Sequence, residues 1–143
     1  MPEDPADLAR RSAERMWAGD AASRMLGMSV LSVGAGSASV AMTVREDMVN
    51  GWGLCHGGLV AALADSAFAV ACNSHGTVTL ASGFDVTLLE PARVGDELVA
   101  EALERARRGR SGLYDVTVTR TSDHTVIAEF RGRSRSTGRR IEG

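Results

Sequence analysis

The chain has 143 residues, 44% of them apolar, 24% charged and only 4% aromatic, with a formal net charge of −2. This length and composition suit one domain with a real core. They exclude the basic field and the stacking platforms of a nucleic-acid binder, and no apolar run approaches the ~18–20 residues of a membrane span. The N-terminal stretch MPEDPADLARRSAERMWAGD is acidic and then basic, without the apolar middle of a secretion signal. A cytoplasmic protein with neither nucleic-acid nor membrane partners is expected. All sixteen basic side chains are arginine, so Schiff-base chemistry on a lysine is excluded.

Residues 5–17 predict a helix, with Leu8, Ala13, Met16 and Trp17 as an imperfect apolar stripe. A short helix over 20–26 follows, with Asp20 as N-cap and Gly27 as its stop. Residues 29–33 and 37–44 read as antiparallel strands joined by Gly34-Ala35-Gly36. Residues 46–55 are irregular and glycine-rich. The main helix is predicted over 57–73, and Gly76 breaks the chain after it. Strands over 78–89, 97–107, 113–121 and 125–135 form a meander, punctuated by Glu90-Pro91, Gly95-Asp96, residues 109–112 and Ser122-Asp123-His124. The pattern is α+β, one antiparallel sheet wrapped around one long central helix. Residues 1–27 read as a helical extension, 28–136 as the domain, and 137–143 as a polar tail expected to fray.

The main helix is apolar almost all round, which requires cover on every side. One sheet covers one side only, so a homo-oligomer is expected. The helix carries one ionisable residue, Asp65. A lone carboxylate among apolar residues is costly unless paired or neutralised, which makes it a candidate for function. Cys55 and Cys72 are separated by about 20 Å or more along this helix, too far for a disulfide, and read as small buried hydrophobes. The same separation keeps Cys55 and His56 from Cys72 and His75, so no metal site is expected. No phosphate-binding loop or dinucleotide fingerprint is present and no cofactor is expected. His75 and His124 fall in turns and read as surface residues.

Asn50-Gly-x-x-x-Cys55-His56-Gly57-Gly58, then Leu63-Ala64-Asp65-Ser66-Ala67-Phe68, then Ala71-Cys72-Asn73-Ser74, resembles the hotdog-fold acyl-CoA thioesterases. Within them it is most similar to the phenylacetate-pathway branch known as PaaI. The segment from Phe84 through Glu90-Pro91 to Gly95-Asp96 shares the likeness, which spans about residues 28–136. The resemblance implies a single hotdog domain, an acyl-CoA substrate such as (hydroxy)phenylacetyl-CoA or a related aryl or short acyl thioester, and a dimer of dimers with active sites shared between subunits.

The first N–H groups of a helix lack intrahelical partners and sit at its positive end. Gly57 and Gly58, without a Cβ, admit a carbonyl close to them, and the resemblance makes the Gly57 N–H the oxyanion donor. Asp65 lies eight residues on, about 12 Å along the same helix. It does not comfortably reach a carbonyl held at its own Gly57; the resemblance implies a site shared with a neighbouring subunit, where Asp65 acts as general base or as nucleophile, the alternative being a capping or buried structural acid. Ser66 either bonds substrate or the carboxylate, or bonds back to its own helix. Asn50 orients the water or thioester, or is the turn residue of an Asn-Gly pair. His56 donates to the carbonyl or holds the loop. Arg105, Arg107, Arg108, Arg110 and Arg93 are candidates for coenzyme A phosphates, or a solvated strand end. Two other functions compete with hydrolysis. One is a non-catalytic acyl-CoA binding or sensor module; the other is a hydroxyacyl-thioester dehydratase pairing His56 with Asp65.

Overall fold

The computed structural model describes residues 2–142. Helix α1 (Pro5–Ala18) begins where the Asp4 carboxylate accepts the Ala6 N–H at 2.8 Å, with proline in its first turn. Helix α2 (Ala21–Met25) is capped by Asp20, which accepts from Ser23 N at 3.0 Å, and the chain leaves it through Gly27 at φ 71°. Strands β1 (Ser29–Gly34) and β2 (Ser37–Thr43) form the expected hairpin. A short 3₁₀ turn (Glu46–Met48) and a loop lead into the long helix α3 (Gly57–Cys72). Four long strands follow: β3 (Thr77–Leu88), β4 (Glu97–Arg108), β5 (Ser111–Arg120) and β6 (Val126–Arg140).

The six strands make one antiparallel sheet in the order β1-β2-β4-β5-β6-β3. It curls around α3, which packs on every strand. Leu63, Ala64, Ala67, Phe68 and Ala71 of α3 face the inward residues Val40, Leu98, Ala100, Val116, Val118, Ala128 and Phe130. Complete burial of a side chain such as Leu63 contributes about 1.5–3 kcal/mol. Gly132 gives Phe68 its place, because a Cβ there would lie 2.8 Å from the ring.

One feature differs from expectation: the tail does not leave the sheet near residue 136. β6 continues to Arg140, Thr77 pairs with Arg140, and Ile141 N bonds Gly76 O at 2.8 Å. The alternation that marks a strand is lost in this polar stretch because neither face covers core. The sheet covers one side of α3 only, as expected: Ala61, Ala62, Asp65, Ser66 and Ala69 stay partly exposed on the face away from it.

Candidate active site

The loop before α3 is built around Asn50. Its Oδ1 accepts from Trp52 N at 2.8 Å and Leu54 N at 3.1 Å, and its backbone N–H donates to Leu54 O at 2.7 Å. The side-chain carbonyl is thus used by the turn. The amide NH₂ has no acceptor among the described residues, so Asn50 offers a donor and nothing else. The Val49–Cys55 bridge closes the loop on itself, while the Leu54–Arg93 bridge holds it to the β3–β4 connection, where Cys55 N donates to Ala92 O at 2.8 Å.

His56 is the N-cap of α3, yet its side chain makes no capping bond. Leu59 and Val60 donate to His56 O at 2.9 and 3.2 Å. The N–H groups of Gly57 and Gly58 are left without partners among the described residues, which is the electrostatic arrangement an oxyanion requires. Nothing lies within 4 Å of where a Gly58 Cβ would stand. Leu88 Cδ1 already occupies the corresponding place at Gly57, so a side chain there would have to push the Leu88 tip aside. His56 is exposed and its ring has no partner among the described residues.

Asn50 and Gly57 line a common cleft of about 310 Å³, walled by Leu54, Val60, Leu88 and Leu89. Neither Asp65 nor Ser66 reaches it. Asp65 lies two turns on, partly exposed, and no donor among the described residues meets its carboxylate. Burial pushes its pKa above the ordinary carboxylate value, and the Asp20 carboxylate adds to the rise. Ser66 is not bonded back to its helix; its Oγ lies 2.8 Å from Ser23 Oγ of α2.

Of the remaining candidates Cys55 lines the cleft, Arg93 adjoins its loop and the others are separated from it. Burial raises the Cys55 thiol and pushes Cys72 up to about 12, so both stay protonated, and both are free. Among the described residues no three His, Cys, Asp or Glu side chains gather as metal ligands. His75 is not a free surface residue, since its Nε2 is 2.7 Å from Glu104 Oε1, which also accepts from Tyr114 OH at 2.9 Å. His124 sits in a turn at φ 60°. Arg105 pairs with Asp115 at 3.3 Å on the outer sheet face. Arg107, Arg108 and Arg110 gather at the β4–β5 hairpin, beside the C-terminal end of α3, while Arg93 adjoins the cleft loop through Leu54. The residues missed from sequence are the apolar wall Leu88 and Leu89 and the α2 pair Asp20 and Ser23. Leu88 and Leu89 stand in the segment that carries the family likeness, but nothing local marks Ser23.

The Thioesterase superfamily pattern matches residues 53–127. The chain is similar to the acyl-coenzyme A thioesterase PaaI of Escherichia coli (strain K12), 41% identical over 133 residues that cover 93% of this chain and 94% of that protein. The solved structure of the E. coli PaaI protein from the phenylacetic acid degradation operon superposes with a TM-score of 0.94 at 37% identity, covering 97% of this chain and 100% of that one. A mutant of the phenylacetic acid degradation protein PaaI from Thermus thermophilus gives 0.75 at 34% identity, over 79% and 96%. The cleft at the open start of α3 and the match across more than half the sequence lead to one conclusion: the chain belongs to the thioesterase superfamily and has its hotdog fold.

Proposed function

We propose that this protein hydrolyses acyl-CoA thioesters to the free acid and coenzyme A in the cytoplasm. The observation that carries the reading is the unpartnered N–H of Gly57 at the open start of α3, in a cleft that Asn50, with its free amide, also lines. The Gly57 N–H polarises the thioester carbonyl, and the Asn50 NH₂ donates to the same oxygen or to the water. His56 adds a donor at the rim, and Gly58 leaves room for the thioester. The water oxygen bonds the carbonyl carbon while its proton passes to Asp65. Collapse of the tetrahedral intermediate breaks the C–S bond, and the coenzyme A sulfur takes that proton back. A carboxylate whose pKa is raised by burial is a better base near neutral pH. The apolar wall of the cleft suits an aryl or short acyl group. The place of E. coli PaaI in a phenylacetic acid degradation operon supports (hydroxy)phenylacetyl-CoA.

The site is shared between subunits in this reading. Asp65 is about 12 Å from Gly57 of its own helix, so the base comes from a second copy. Support for such a copy comes from the half-covered face of α3 and from edge strand β3, which exposes Leu80, Phe84 and Leu88. Two such dimers would form the tetramer. The test mixes two inactive variants, Asn50→Asp and Asp65→Asn, after joint refolding. In a shared-site dimer, half the dimers are mixed and each has one intact site, so about a quarter of wild-type turnover returns. A mixture as inactive as its parts overturns the sharing. Release of free thiol from acyl-CoA distinguishes a hydrolase from a binding module.

A further inference from the structure

Ser66 stands where α3 meets the N-terminal extension. Its Oγ is 2.8 Å from Ser23 Oγ, and Ser23 is only 3% exposed. Ser23 Oγ is in turn 2.7 Å from Asp20 Oδ2, and Asp20 Oδ1 accepts from Ser23 N at 3.0 Å. Distances alone leave the serine–serine bond ambiguous, but hydrogen-bond inventory resolves it. A carboxylate only accepts, and a serine hydroxyl has one proton. Ser23 gives its proton to Asp20, so Ser66 must donate across the 2.8 Å contact. The Ser66 proton then points toward α2, and both lone pairs of its Oγ are left free to accept.

We propose that Asp20 and Ser23 are positioning residues for hydrolysis: by taking up the Ser66 proton they make Ser66 Oγ an acceptor beside Asp65. A water between the two residues gives one hydrogen to Asp65 and directs the other at Ser66. Its own lone pair is then turned toward the thioester carbon. Only the proton directed at Asp65 is transferred during attack; the bond to Ser66 orients. A serine free to rotate would donate to the water instead and turn that lone pair away. The inference rests on the hydrolase reading above, and gives the short helix α2 a role beyond packing.

The test is a double-mutant cycle in the complete oligomeric protein, with kcat, KM, the pH profile of kcat and the melting temperature measured for each variant. Ser23→Ala should lower kcat about tenfold, as loss of one oriented hydrogen bond does, with KM unchanged. In a Ser66→Ala background the same substitution should change kcat by less than about twofold, because there is no proton left to direct. Asp20→Asn keeps a capping oxygen and also lowers kcat. It moves the acid limb of the profile to lower pH as well, since Asp20 on α2 is the charged group that faces Asp65 and Cys72 on α3 stays a neutral thiol. Equal losses from Ser23→Ala in both backgrounds, or no loss in either, overturn the proposal, as does an Asp20→Asn protein with unchanged kcat and profile. Asp20→Asn decides alone if Ser23→Ala does not fold. Failure of the hydrolase reading is separately visible, as a wild-type protein that releases no free thiol from acyl-CoA.

Discussion

Replacing Asp65 by asparagine should disable the enzyme and stabilise the fold together. The side chain is partly buried, has no donor among the described residues, and its pKa is raised by burial and then by Asp20. Raising a carboxyl pKa on folding means that the native state holds the proton more tightly than the unfolded chain. Stability from this group is complete below the unfolded pKa and is lost as pH rises through the higher native value. At pH 7 the native protein therefore carries a carboxylate it would rather not ionise. After allowance for solvent screening, a partly solvated, uncompensated group of this kind costs about 1 kcal/mol. Asp65→Asn removes that cost and should raise the melting temperature by about 2–4 °C at pH 7, with the gain fading toward pH ~4. Loss of a general base lowers turnover about 100- to 10,000-fold, or about 2.7–5.4 kcal/mol in the barrier. The assay pairs thiol release from an aryl- and short-acyl-CoA panel with thermal melts across pH. A folded variant within threefold of wild-type turnover refutes Asp65 as base. A melting temperature lowered at pH 7 refutes the claim that its charge is uncompensated.

Asn50→Asp should keep the loop, because a carboxylate oxygen can still accept from Trp52 N and Leu54 N, while losing the free NH₂ donor. Turnover is expected to fall at least tenfold with the melting temperature within about 2 °C; unchanged turnover removes Asn50 from the chemistry. Gly132→Ala should cost about 1–3 kcal/mol by forcing a methyl against the Phe68 ring, read as a lower denaturation midpoint, and a neutral result would mean the core has slack there. Tyr114→Phe strips one donor from Glu104 Oε1, leaving His75 as its close partner. A loss of about 1–2 kcal/mol in urea unfolding is expected, with catalysis untouched.

The strands and helices were legible because their apolar patterns follow the local backbone period. The two faces of β6 separate Ala128, Phe130 and Gly132 from Glu129, Arg131 and Arg133. Gly57 and Gly58 announced an open helix start, and Asp65 announced itself by being the sole charge in α3. His75 lies in the turn that the sequence indicates, but its partner Glu104 stands 29 residues further on, in β4, and no local pattern joins the two. Ser23 was silent for the same kind of reason, since its bond to Ser66 spans 43 residues.

By itself the sequence determined what is set by neighbours along the chain: periodicity, caps, turns, and the spacing of Gly57 from Asp65. Helical rise alone makes that spacing too long for one helix to serve one carbonyl, so the proposal of a second subunit was already contained in it. Only the tertiary structure decided which polar atoms are used and which are left over. It assigned the Asn50 carbonyl to its own loop and freed the amide, set Leu88 over Gly57, and tied Ser66 to Asp20 through Ser23. Those outcomes depend on contacts between distant segments, where each donor or acceptor can be used once, and no local pattern records where it is used.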